Sequence, residues 1–305
     1  MRPGLIGAQA QHTSVSKGAA CLSALAAIVG LSPAAALAQA AKPGMSYAAP
    51  GQIGMMEPAS PIAAEMGFFH NALLLPIIFA ISIFVLALLI YVAWRFNETA
   101  NPTPSRTTHH TGLEVAWTAV PLMILVVIAI PSFRLLTKQI ALPETDVTVK
   151  VTGKQWYWTY TYPKEANGGF EFDSNLLDQE KLAAGKMRLL DVDNEAVVPV
   201  GKAIRLQITA DAVGVIHSFT IPALGVRMDA VPGRLNEAWF KADREGVYYG
   251  QCSKLCGKDH AYMPIVFRVV SDQAYAAWLA DSKKKYASAS SLVTVADASV
   301  PALRQ

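Results

Sequence analysis

The chain has 305 residues, 52% hydrophobic and 16% charged, with a formal net charge of +3. So apolar a composition excludes an ordinary soluble protein of this size, and the mild, dispersed charge excludes nucleic acid as a partner. Three cysteines, Cys21, Cys252 and Cys256, are too few for the disulfide framework of a small secreted module.

Taken in chain order, the apolar excess falls into blocks. Arg2 and Lys17 precede an apolar run from Ala19 to Leu31, and small residues converge on Ala36-Leu37-Ala38 and Ala38-Gln39-Ala40. A basic start, a short apolar core and an A-x-A end predict a cleaved secretory signal peptide over residues 1–40. An uncleaved signal anchor is the alternative; the short run and its cleavable flank argue against it. Cys21 precedes most of the apolar core, where a lipoprotein cysteine would follow it, so it is expected to leave with the leader.

Residues 41–70 then form an N-terminal segment on the outer side, followed by a transmembrane helical hairpin over 71–137. Residues 71–94 (NALLLPIIFAISIFVLALLIYVAW) carry no charge and as a helix reach about 33–36 Å, enough to cross a bilayer. Tyr91 and Trp94 stand at one end, the level where amphipathic aromatics settle. Residues 115–133 (VAWTAVPLMILVVIAIPSF) form a second span of about 28 Å, which Pro121 and Pro131 are expected to weaken or kink. Thr111-Gly-Leu-Glu114 reads as a capping box at its start. With the leader cleaved, the link between the spans is cytoplasmic and everything after the second span is outside. Arg95 and Arg106 in the link agree with the positive-inside rule, while Arg134 and Lys138 oppose it.

From Asp146 the pattern changes to strand-like alternation. Residues 147–153, 155–162, 203–209, 216–222, 235–242 and 262–270 are rich in β-branched and aromatic residues and separated by Gly, Pro, Asp and Asn clusters. They predict an all-β Greek-key domain over 141–286. Residues 271–286 read as a terminal helix capped by Ser271 or Asp272, and 287–305 as a flexible tail.

The chemistry concentrates in Cys252-Ser-Lys-Leu-Cys256-Gly-Lys-Asp-His260-Ala-Tyr-Met263. Two thiols, an imidazole and a thioether lie on one short loop, and His217 supplies a second imidazole upstream. Soft sulfur ligands with imidazole suit copper, and a weak axial Met is a feature of copper electron-transfer sites. Tetrahedral zinc would accept two Cys and two His but does not need Met263. A Cys252–Cys256 disulfide would leave His217, His260 and Met263 without a role. A mononuclear blue-copper site needs one cysteine, so the second points to two metals bridged by two sulfurs.

These stretches, G-Q-C-S-K-L-C-G-K-D-H-A-Y-M-P-I with V-I-H-S-F, V-P-G-R-L-N and G-K-Q-W-Y-W-T-Y before it, resemble cytochrome c oxidase subunit II of the bacterial aa3 type. The resemblance implies a cupredoxin-like domain, periplasmic, on the bacterial inner membrane. It implies a binuclear copper centre, CuA, ligated by His217, Cys252, the carbonyl of Lys254, Cys256, His260 and Met263, with the two thiolates bridging. Electrons would enter from cytochrome c at Trp156 and leave past His260 to heme a of subunit I, which also holds heme a3 and CuB, where oxygen is reduced and protons are pumped. Trp156 also reads as one of the aromatics alternating along a strand, one face of which is core. Glu114 matches the entrance of one of the oxidase's proton paths. Asp173, Asp193 and Asp211 are the candidate acids for docking cytochrome c, although each also reads as an ordinary turn acid.

Two positions depart from the family. Lys254 stands where the family has a glutamate whose carboxylate ligates a Mg2+ or Mn2+ ion at the subunit I interface, which puts this chain's share of that site in doubt. Ala212-Val213-Gly214 replaces the acid that often precedes the first histidine. Two competing readings are the copper domain of a nitrous oxide reductase, which lacks a hairpin, and a quinol oxidase subunit II, which lacks the copper ligands. The third is a membrane-anchored binding domain with structural zinc or a disulfide.

Overall fold

The structure, a computed structural model, describes residues 45–49, 51–164, 168–180 and 182–286. The expected leader, Cys21 and the tail from 287 lie outside the described residues. Ala49–Ile53 belongs to a separate unit, in which the Gln52 amide donates to the Ala49 carbonyl at 3.0 Å. All that follows concerns the other unit.

Two long helices come first. The first, α1 (Pro61–Arg95), begins earlier than the apolar run suggests. Ser60 caps it by accepting from the Ala63 amide at 3.1 Å, and Pro61 sits at the first helical position, where a missing N–H costs nothing. Glu65 and His70 interrupt the apolar run without stopping a capped helix. Residues Phe69–Leu74 are wound as a π-helix inside it. The second, α2 (Thr111–Ile140), continues through both Pro121 and Pro131. Its cap is not the expected Thr111: the Nδ1 atom of His110 accepts from the Leu113 amide at 3.2 Å, and Glu114 reaches back to the His110 amide at 3.3 Å. The N-cap is thus one residue earlier than expected, while Glu114 keeps its place in the cap. Both helices are long and apolar enough to cross a membrane, and none of the most apolar window of either is buried.

The rest is a sandwich of two sheets. One has the order β4 (Phe170–Ser174), β3 (Tyr157–Tyr162), β2 (Val147–Lys154), β6 (Ala203–Ala210), β9 (Asn236–Lys241). The other has the order β5 (Ala196–Pro199), β11 (Pro264–Val270), β10 (Gly246–Cys252), β7 (His217–Ile221), β8 (Val226–Ala230), with β1 (Met45–Ser46) added parallel to β10. Strands β2 and β6 alternate buried and half-buried residues along their whole length, the period-two signature that the sequence carries. β5 is buried at every position, so it shows no alternation. Strands β4, β5, β8 and β10 were not among the expected runs.

Between the sheets, Trp158, Tyr160, Phe219, Phe240 and Phe267 meet edge-on, with centroids 5.1–6.5 Å apart. Such pairs contribute about 0.5–1.5 kcal/mol beyond their buried area. The terminal helix α3 (Asp272–Tyr286) is capped by Ser271, as expected, and lays Trp278 and Tyr286 on Phe170 and Phe172.

The hairpin is fastened to the sandwich. The Ser60 hydroxyl donates to the Leu224 carbonyl at 2.8 Å, and the Trp239 indole to the Lys138 carbonyl at 3.3 Å.

Candidate metal centre

Strand pairing brings the predicted ligands to one end of the sandwich. β10 runs antiparallel to both β7 and β11; its last residue, Cys252, pairs with Phe219, two residues into β7, and its amide donates to the Met263 carbonyl at 3.4 Å. His217 opens β7, and Met263 directly precedes β11. The Ser253 amide donates to the Ser218 carbonyl at 3.0 Å, which holds the start of the loop against β7. A short 3-10 turn, His260–Tyr262, then returns the chain.

The donor atoms form a connected chain. His217 Nδ1 lies 4.0 Å from Cys252 Sγ, which is 3.8 Å from Cys256 Sγ. Cys256 Sγ lies 3.6 Å from His260 Nδ1 and 3.6 Å from Met263 Sδ. The Cys252 thiol also points at the Lys254 carbonyl, 3.3 Å away. Both thiols are free and buried, so the disulfide alternative does not describe this structure. The ligand atoms of His217, Cys252 and Cys256 all fall within 4.8 Å of one another.

Electrostatics mark the site as built for a positive guest. His217 is fully buried, its Nε2 atom has no protein partner, and burial, then the nearby His260, lowers its pKa. A neutral imidazole is the form that ligates metal. Burial, then the neighbouring Cys252, pushes the Cys256 thiol up to about 12. A bound cation would offset that burial, because the thiolate is the form of cysteine that ligates a metal. The donors are sulfur, imidazole and carbonyl, with no carboxylate among them, and this set fits copper.

The opposite sheet braces the loop. Trp156 is not on β3 as expected but in the β2–β3 turn, where its indole donates to the Cys256 carbonyl at 3.1 Å. Trp158 does the same to the Met263 carbonyl at 3.3 Å. Gly153 sits under the ring of His217: a Cβ there would stand 2.9 Å from His217 Cδ2. Lys258 Nζ stands over the Trp156 ring, 5.3 Å from its centroid.

The carboxylates of the other predicted residues are engaged with partners of their own. Glu114 is on the first turn of α2, about 36 Å along the helix from Lys138. The carboxylate of Asp173 accepts from Thr159 at 2.6 Å, that of Asp193 from the Asn175 amide at 2.8 Å, and that of Asp211 from the Ala212 amide at 2.8 Å. All three are thus tied into local turns or cross-strand pairs. Lys254 extends its ammonium to Asp229, 3.7 Å away on β8. Sequence reasoning missed the apolar rim of the site. Val213, Leu235, Leu255 and Tyr262 are exposed on the three loops around the ligands; an exposed apolar residue in a polar turn was the available signal.

A membrane-anchored β-sandwich with a soft-ligand centre for electron transfer is thus defined by fold and site. The chain matches the family model for the cytochrome c oxidase subunit II periplasmic domain over residues 147–270, and that for the subunit II transmembrane domain over 48–135. It is 49% identical over 235 residues to the probable cytochrome c oxidase subunit 2 of Rickettsia felis, covering 77% of this chain and 73% of that one. It is 48% identical over 249 residues to cytochrome c oxidase subunit 2 of Cereibacter sphaeroides, covering 77% and 81%. Among solved structures, the periplasmic domain of subunit II of cytochrome oxidase (CoxB) of Bradyrhizobium japonicum is 57% identical, covering 48% of this chain and 99% of that one, with a TM-score of 0.44. The chain belongs to the cytochrome c oxidase subunit II family. It is a membrane protein and one subunit of an oxidoreductase complex.

Proposed function

We propose that this chain receives single electrons from cytochrome c at a binuclear copper centre and delivers them to heme a of subunit I. Oxygen is reduced there, at heme a3 and CuB, with proton translocation. One observation carries the reading. Cys252 and Cys256 stand 3.8 Å apart, and each of His217, Lys254 O, His260 and Met263 lies within 4.0 Å of one of the two sulfurs. Two copper ions held by these groups would share one unpaired electron, which keeps the geometric change on reduction small. The residues supply the rigidity: β7 and β10 hold His217 and Cys252, and the two indoles pin the backbone at Cys256 and Met263.

Trp156 is the entry point in this reading, half-buried and hydrogen-bonded to the backbone of a bridging cysteine. His260, less buried than His217, faces the exit. Glu114, at the far end of α2, is the entrance of a proton path. Asp173, Asp193 and Asp211 take part in docking cytochrome c. The leader is cleaved, and the sandwich faces the periplasm of a bacterial inner membrane. Lys254 withdraws this chain's ligand from the Mg2+ site shared with subunit I, because an ammonium held by Asp229 cannot coordinate a cation.

Metal analysis and low-temperature EPR of the purified, copper-loaded chain test the proposal. Two coppers per chain with a seven-line hyperfine pattern are expected, since one electron is then shared by two nuclei. One copper with four lines, or zinc in its place, overturns it.

A further inference from the structure

Where the hairpin meets the sandwich, α1 and α2 enclose a cleft of 510 Å3, within the range of about 300–1,000 Å3 typical of small-molecule sites. Phe68, Phe69, Leu73 and Leu135 make its wall apolar; Glu65, Arg134 and Lys138 stand at its rim. Glu65 and Lys138 form an ion pair with each other, so their charges cancel. Arg134 has no ion-pair or hydrogen-bond partner among the described residues, and it is exposed. The helix dipole does not account for it: Arg134 is six residues short of the end of α2, and the dipole's influence is confined to the last turn. The cleft's level is marked by the Trp239 indole on the Lys138 carbonyl, which joins this end of the hairpin to the aqueous domain. With the hairpin spanning a bilayer, this end of it would lie toward the lipid headgroups.

We propose that this cleft binds an anionic phospholipid, with one acyl chain against the apolar wall and the phosphate on the Arg134 guanidinium. Arginine is the cation suited to that role, because its planar fork meets phosphate oxygens in pairs. A lipid, rather than free phosphate, is the occupant because the wall is apolar and the rim carries only one unneutralised charge.

The test uses the assembled oxidase in nanodiscs of phosphatidylcholine with phosphatidylglycerol as the sole anionic lipid. Lipid retained after solubilisation is counted by native mass spectrometry. The parent is expected to keep a phosphatidylglycerol that Arg134→Gln loses about tenfold more readily, the ratio that one lost charge-assisted contact implies. Arg134→Lys should recover part of the retention, and Ala72→Trp, which fills the cleft, should abolish it. Added inorganic phosphate should displace nothing. Equal retention in the parent, Arg134→Gln and Ala72→Trp overturns the proposal. So does displacement by phosphate, or a map of the complex with a neighbouring subunit's helix in the cleft.

Discussion

Lys258 illustrates how one side chain can work against its neighbours. Its ammonium stands 5.3 Å from the centroid of Trp156 and 3.6 Å from the Asp259 carboxylate. If, as proposed, a lysine-rich cytochrome c donates at Trp156, a positive charge beside that indole repels it and also engages the Asp259 carboxylate. Such a rim charge acts on the association rate far more than on the bound state. Lys258→Ala should therefore raise the second-order rate of oxidation of a basic cytochrome c several-fold at low salt. The gain should vanish once the Debye length falls to about 8 Å at physiological ionic strength and below. Stopped-flow rates across an ionic-strength series would check this. An unchanged rate at low salt would place the docking surface elsewhere, and a slower one would mean that the donor's contact face is acidic.

Among elements, the β2–β3 turn does more than connect strands. It lets Trp156 reach the Cys256 carbonyl, and it ends the strand in which Gly153 makes room for the ring of His217. A methyl group on Gly153 would stand 2.9 Å from His217 Cδ2, closer than side chains tolerate, and 3.1 Å from Trp158 Cζ3, so both rings would have to shift. Gly153→Ala should cost about 1–3 kcal/mol of stability by overpacking and should tilt His217 away from Cys252. Lower copper occupancy and an altered hyperfine pattern are expected, alongside a lower unfolding temperature in detergent. A variant that unfolds earlier but loads copper with the parent's spectrum would show that Gly153 serves packing alone.

This buttress also marks what the sequence left unread. The candidate donors on the loop were legible because Cys252, Cys256, His260 and Met263 fall within one short stretch of chain, and residue type alone constrains their chemistry. His217 was legible through its surrounding motif. The role of Gly153 and the position of Trp156 in a turn depend on contacts across about 60 and 100 residues of chain, which no local pattern encodes. The helix ends were misread for a related reason. Capping by His110 and the start of α1 at Pro61 rest on single hydrogen bonds, whereas hydropathy reports only the apolar stretch between. Strand β5 has the opposite defect: burial on both faces removed the alternation by which β2 and β6 were found.

At the largest scale, the hairpin and the sandwich belong to one compact unit. It is tied by Ser60 to Leu224, Trp239 to Lys138, and Arg244 to Glu57 at 3.0 Å. The candidate metal loop therefore belongs to the same unit as the hairpin, and in the proposed reading what that loop carries bears on what the interface with subunit I can hold. The pair Lys254–Asp229 is half-exposed on both sides, 52% and 44%, at 3.7 Å. A pair so solvated contributes about 0–1 kcal/mol, so replacing it should barely affect the stability of the chain by itself. Its consequence belongs to the assembly. In the reading proposed above, a carboxylate at this position would ligate a divalent cation at the subunit I interface, whereas the ammonium of Lys254, paired with Asp229, cannot. Lys254→Glu should open the site, because the backbone carbonyl at 254 is kept while a second carboxylate appears beside Asp229. Oxidase purified from cells grown with Mn2+ should then carry a stoichiometric six-line Mn2+ EPR signal only in the variant, with the copper signal unchanged. If the parent complex already holds that Mn2+, Lys254 has not displaced the cation, and subunit I supplies enough ligands without it.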